Sequence, residues 1–221
     1  MNTKLVSAIL LLVLAAGCTT PPIGSEISGP TVEVPVPASG TVLFQDDFSN
    51  PASGWDHITD FNGIMDYDGG IYRMLIQEAN INFWATPGKI FNDARIEVDV
   101  AKLSGPDSNR AGIVCRVKGE DLYFFVITND GYYGVGRTVN KQSVLLGQSA
   151  MAQSSAIKPG LVINHLRADC TGSTLSFYVN GFLVSQVNDT TLTSGEVGVI
   201  AGTFGEPNVD MVFDQFIVLQ P

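Results

Sequence analysis

LSFYVNGFLVSQV, residues 175–187, sets two apolar-rich runs on either side of Asn180-Gly181. Leu175, Phe177 and Val179 alternate with Ser176 and Tyr178, which is the period of a half-buried strand. Asn and Gly tolerate the positive φ of a type I′ turn, so the pair predicts a two-residue β-hairpin. The same pattern recurs on both sides. In ARIEVDV (94–100), Ile96, Val98 and Val100 face one way while Arg95, Glu97 and Asp99 face the other. LYFFVIT (122–128) and YYGVGRTV (132–139) flank Asn129-Asp130-Gly131, a second turn. From residue 41 onward no segment holds a helical period and no internal repeat stands out. Roughly a dozen short strands separated by Gly, Asn, Asp and Pro predict one all-β domain, an antiparallel sandwich over residues 41–221.

The last strand, VDMVFDQFIVL (209–219), contains a phase change. Val209, Met211 and Phe213 alternate, Asp214-Gln215 intervenes, and Phe216 and Val218 resume out of step, as a β-bulge produces. LFQDDF (43–48) has the composition to pair with this closing strand, which puts Asp46 and Asp47 at a sandwich edge.

The first forty residues carry a different message. Lys4 is the one charge before an apolar run from Leu5 to Ala16, too short to span a bilayer as a mature helix. It reads as a secretory signal, residues 1–17. The run ends in Leu14-Ala15-Ala16-Gly17-Cys18, which resembles a bacterial lipobox with Ala15 where Leu is more usual, and so marks Cys18 for lipidation. Residues 18–40 then hold five of the eleven prolines and no hydrophobic period, the mark of a semi-rigid tether. The expected address is the cell envelope, outside the cytoplasm, with the membrane reached through an N-terminal lipid.

The chain has 12 Lys and Arg against 22 Asp and Glu, a net charge of −10. With no basic patch, nucleic acid is not an expected partner. Once Cys18 is assigned to lipid, Cys115 and Cys170 remain, an even pair in an oxidising compartment. Cys115 is in phase with Ile113 and Val117, and Cys170 with Leu166 and Ala168, so both thiols are expected to point inward and to form a disulfide between neighbouring strands.

The segments FQDDFSNPASGW, GGIYRMLIQ, WATPG, ARIEVDVAK, LRADCTGSTLSFYVNGFLV, SGEVGVIAGTF and FDQFIV together resemble the concanavalin A-like jelly rolls of the laminin-G and 3-keto-disaccharide hydrolase group. The resemblance covers residues 43–219 and is strongest at the FDxF close and the YVNG hairpin. It implies the jelly-roll architecture, and much less about activity. Related laminarinases and lichenases carry a Glu-x-Asp-x-x-Glu strand; here Glu97-Val98-Asp99 is followed by Lys102 in place of the proton donor, which removes that mechanism. The resemblance also implies a structural Ca²⁺ where the terminal strands meet, with Asp47 and Asp214 as ligands. Asp66-Tyr67-Asp68-Gly69-Gly70 reads as a tight acidic turn, because Gly70 stands where a calcium loop needs a further oxygen ligand and Gln77 where it needs a Glu. His57 and His165 cannot make a His-rich metal site, and Gly134-Val135-Gly136 lacks the third glycine of a dinucleotide loop.

Sugars are gripped by aromatic faces and by planar side chains that make paired hydrogen bonds. Trp84, Tyr123, Tyr132, Tyr133, Arg116 and Arg137 lie on central strands or their ends and are the candidate glycan-binding set. The leading expectation is a non-catalytic, envelope-anchored module that binds glycan or another extracellular ligand. A glycoside-active enzyme and a purely structural lipoprotein are the alternatives.

Overall fold

A computed structural model of the protein describes residues 40–221. The signal segment, Cys18 and all but the last residue of the tether lie outside the described residues. Seventeen strands run along the described chain. They are β1 (Val42–Asp46), β2 (Ile58–Asp60), β3 (Gly63–Tyr67), β4 (Tyr72–Ile76), β5 (Asn82–Ala85), β6 (Ile90–Phe91), β7 (Ala94–Ser104), β8 (Asn109–Lys118) and β9 (Asp121–Ile127). They continue as β10 (Tyr132–Val139), β11 (Gln142–Leu145), β12 (Ala152–Gln153), β13 (Asn164–Thr171), β14 (Thr174–Val179), β15 (Phe182–Asn188), β16 (Gly195–Thr203) and β17 (Val209–Leu219). No helix occurs among the described residues.

Two antiparallel sheets result. The nine-stranded sheet has the order β15-β14-β13-β7-β17-β4-β3-β2, with β1 pairing β17. The eight-stranded sheet has the order β11-β10-β9-β8-β16-β5, with β12 on β10 and β6 on β16. Between them lies one continuous core in which Ile96, Val98, Ile113, Phe125, Phe177, Val199 and Phe213 are among the fully enclosed side chains. Each such aliphatic or aromatic residue contributes roughly 1.5–3 kcal/mol of burial. The architecture is the concanavalin A-like jelly roll.

The hairpin turns as its sequence predicts, with Asn180 at φ 50° and Gly181 at φ 86° and Val179 opposite Phe182. The first and last strands pair, Asp46 standing opposite Phe216, and the bulge in β17 falls at Gln215, φ 53°. The acidic turn joins β3 to β4 through Gly69 and Gly70, both at positive φ.

Two expectations need correction. The Cys115–Cys170 disulfide forms, with Cα atoms 6.9 Å apart, but it does not link neighbours in one sheet. Cys115 is on β8 and Cys170 on β13, so the bond crosses the core and staples one sheet to the other. Val117, expected inward with Cys115, instead belongs to a separate apolar cluster with Val114, Leu122, Val126 and Ile200. The cause is a bulge: Arg116 sits at φ 53° and the β8–β9 register slips between Cys115 and Lys118, which inverts the phase that simple alternation carries forward.

Candidate functional site

That separate cluster lies on the outer face of the eight-stranded sheet. Ile113 and Phe125 point into the core, so Val114, Phe124 and Val126 point outward, and Trp84 joins them because its neighbours Phe83 and Ala85 are core residues. One row across the sheet reads Trp84, Ile200, Gly112, Val126, Gly134, and the next reads Gly198, Val114, Phe124, Gly136, Leu145. An antiparallel sheet in a soluble protein normally leaves its outer face polar. Here it is aliphatic and aromatic, and it floors a groove of about 430 Å³.

Glycines make the floor possible. A Cβ on Gly136 would come within 2.2 Å of the Phe124 ring, and one on Gly134 within 3.0 Å of Leu145. The absence of side chains lets Phe124 lie over β10. Met151 and β11 form one wall, and Asn82, Arg110 and Phe204 stand at one end. Lys141 and Glu120, 3.4 Å apart, bring a neutralised pair to the lining.

A second cavity of about 480 Å³ adjoins the first, with Trp84 in both linings. Its polar lining includes Asp56, Thr86 and Glu196. The Thr86 hydroxyl lies 3.1 Å from Asp56 Oδ2 and 2.5 Å from Glu196 Oε2, and Thr86 N also donates to Asp56 Oδ2 at 3.0 Å.

The six candidates from sequence are dispersed. Trp84 lines the groove. Tyr132 is in phase with Gly134 on the same face but lies beyond the groove lining, paired with Gln153. Tyr133 packs at the edge of the main core and borders a smaller surface recess beside Phe182 and Leu183. Tyr123 is fully buried, donating its hydroxyl to Asp189 Oδ1 at 2.6 Å and accepting from Leu192 N at 3.0 Å. Burial, followed by that bond to Asp189, raises its pKa. Arg137 is ion-paired with the same Asp189. Arg116 is 2% exposed and bonds the carbonyls of Asn92, Leu192 and Gly172 and the carboxylate of Asp93, so it is an internal strut for three loops.

The acids are also accounted for. Asp46 accepts from Phe48 N at 2.8 Å and from Trp55 Nε1 at 3.0 Å, fixing Trp55 among Phe48, Tyr72 and Phe216. Asp47 caps its own turn through Ser49 N and Oγ, and these bonds hold its carboxyl below the usual range. Asp214 accepts from Gln215 N within the bulge. Among the described residues no three His, Cys, Asp or Glu gather, so a calcium site at Asp47 and Asp214 would need backbone oxygens for most of its ligands. Glu97 and Asp99 flank His165 on the nine-stranded sheet, away from the groove; Lys102 is buried, bonded to Gly105 O and Asp107.

Arg110, Phe124, Met151 and Phe204 were not read from sequence. A signal existed: AGIVCRV, LYFFVI and GVIAG are apolar on both strand faces, which a sandwich strand with a plain solvated side is not.

No family model and no curated protein matches the sequence. Solved structures do match in fold. A protein of unknown function with a galectin-like fold from Bacillus subtilis has a TM-score of 0.63 at 12% identity, over 83% of this chain and 97% of that one. The Bacillus licheniformis beta-glucanase has a TM-score of 0.59 at 10% identity, over 83% and 100%. The carbohydrate-binding module CBM66 of Bacillus subtilis has a TM-score of 0.51 at 15% identity, over 75% and 95%.

Proposed function

We propose that this domain is a carbohydrate-binding module that holds glycan in the groove over the eight-stranded sheet, and that it is carried at the cell envelope on a lipidated Cys18. The observation that carries the reading is an apolar groove with Trp84 and Phe124 on an outward sheet face, where aromatic planes meet the C–H faces of sugar rings. The shared architecture with a carbohydrate-binding module and a beta-glucanase supports it. The disulfide is in keeping with an extracytoplasmic location.

Binding without turnover is favoured by the state of the carboxylates: Glu120 in the groove lining is paired with Lys141, and the next acids, Asp56 and Glu196, lie in the adjoining cavity. Asp56 Oδ2 is committed to Thr86 N and to the Thr86 hydroxyl that Glu196 also contacts, so the pair holds a strand end rather than flanking an open bond. The test is a glycan array followed by product analysis on each hit. Trp84→Ala is expected to lower affinity at least tenfold while glycan is recovered intact. Cleaved product whose formation is lost in Glu196→Gln would overturn the binding-only reading.

A further inference from the structure

Six arginines occur in the chain, all among the described residues. Arg73, Arg95, Arg116, Arg137 and Arg167 each have an aspartate partner. Arg110, in a protein with 22 acidic residues, has none among the described residues. Its guanidinium lies over the Phe204 ring at 4.2 Å and makes one side-chain hydrogen bond, from Nη2 to Thr203 O at 2.5 Å. Nε is shut off from solvent with no acceptor. Gly202 leaves space for the stem, since a Cβ there would meet Arg110 Cγ at 3.0 Å.

A half-buried cation with no aspartate or glutamate partner among the described residues carries a desolvation cost that the Phe204 ring and one carbonyl offset only in part. Burial accordingly pushes its pKa down, while a guanidinium stays charged at any working pH. The stacking fixes the plane of the fork, and the Nη1 hydrogens have no acceptor among the described residues. That is the arrangement that receives a planar anion. Position ties it to the groove. Arg110 is two residues along β8 from Gly112, which shares a row with Trp84. It therefore stands about 7 Å along and about 10 Å across from Trp84 in Cα spacing, with Asn82 and Phe204 beside it.

We propose that the saccharide bound in this groove carries a carboxylate, a uronic acid residue, which Arg110 receives while a neighbouring sugar stacks at Trp84. The inference rests on the groove being the sugar site. The surrounding charge refines it. The other cation in the groove lining, Lys141, is neutralised by Glu120, and the net charge of −10 repels a dense polyanion. The fitting ligand is a largely neutral oligosaccharide with isolated uronates, not a heavily charged or sulfated polymer.

The experiment uses a panel of uronate-bearing oligosaccharides, each beside its carboxyl-reduced neutral counterpart, with sulfated glycans as a third arm. The unmutated protein is expected to bind at least one uronate member roughly 10- to 100-fold more tightly than its reduced partner, the range of a charge-assisted hydrogen bond. Arg110→Gln should erase that preference and keep the residual neutral affinity, and Arg110→Lys should keep part of it. Should Arg110→Gln fail to fold, the paired ligands on the unmutated protein still decide. Equal binding within every pair, with Trp84→Ala abolishing both, overturns the role of Arg110 and leaves the groove standing. Preference for the sulfated arm also overturns it. No glycan bound, or binding indifferent to Trp84→Ala, brings down the groove reading and this inference with it.

Discussion

Adjacent residues Asp46 and Asp47 hold different things, and the difference is measurable. Asp46 accepts from a main-chain amide and from the indole of Trp55, which is 3% exposed, whereas Asp47 closes an exposed turn. Asp46→Ala strands the Trp55 N–H in the aromatic cluster, so a loss of about 1–3 kcal/mol is expected. Asp47→Ala should leave stability nearly unchanged, as substitutions on an exposed turn do. Urea unfolding of both variants checks this, and equal losses would refute the assignment. Asp189 contributes to acid stability. Burial alone would raise its pKa, but bonds from Thr191 and Tyr123 and the charge of Arg137 outweigh burial and hold it below the usual carboxylate range. A carboxyl depressed on folding contributes stability that is complete above its unfolded pKa, about 3.9, and is lost as pH falls through the lower folded value. Stability should therefore decline below about pH 4, and Asp189→Asn should lower the neutral-pH plateau and flatten that acid limb. An unchanged limb in the variant would remove Asp189 from the account.

At the scale of strands and turns, β10 shows how glycine builds a site. Strand interiors disfavour glycine, and valine at most such positions raises β-propensity. At Gly136 the sign reverses, because the new side chain meets the Phe124 ring. Gly136→Val is expected to cost about 1–3 kcal/mol by overpacking and to abolish glycan binding, read by melting and by titration with an array hit. Retained affinity would show that the groove floor is not the sugar platform. The same strands mark how far sequence reading reaches. The Asn180-Gly181 hairpin, the paired terminal strands and the Gln215 bulge were legible because each rests on local chemistry: turn residues, composition and a broken alternation. Which residues line the groove was not. Tyr123 and Arg137 sit on strands of the groove-bearing sheet, yet both turn toward Asp189, so only their phase against the core places them. Arg116 follows inward Cys115, so plain alternation would turn it outward; the bulge that buries it is not announced by anything in AGIVCRV. Trp84, singled out in the sequence, does line the groove, whereas Arg110 stands apart only by having no acidic partner among the described residues when every other arginine has one.

For the whole molecule, the proposal that Cys18 carries a lipid is open to direct test. Cys18→Ala should abolish lipid labelling and processing at that bond, and unchanged mass and membrane retention would sink the lipoprotein reading. The disulfide acts on the same scale. It closes a loop of 55 residues that carries β9 to β12, which form half of the groove-bearing sheet, and fastens it across the core to β13. In the chain-entropy model such a loop contributes about 4 kcal/mol, so reduction or Cys115→Ala with Cys170→Ala should lower stability by roughly that amount. The loss should not be uniform. β7 and β17 sit side by side inside the nine-stranded sheet with neighbours on both sides, while β10 and β11 end the other sheet near the groove wall. Hydrogen exchange in the double variant is therefore expected to rise first across residues 121–153, with β7 and β17 still protected, and glycan affinity should fall as that wall loosens. Two titratable thiols in protein exported and purified without reductant would remove the staple altogether. Exchange rising equally in both sheets would show that the bond stabilises the molecule as one unit and not the groove in particular.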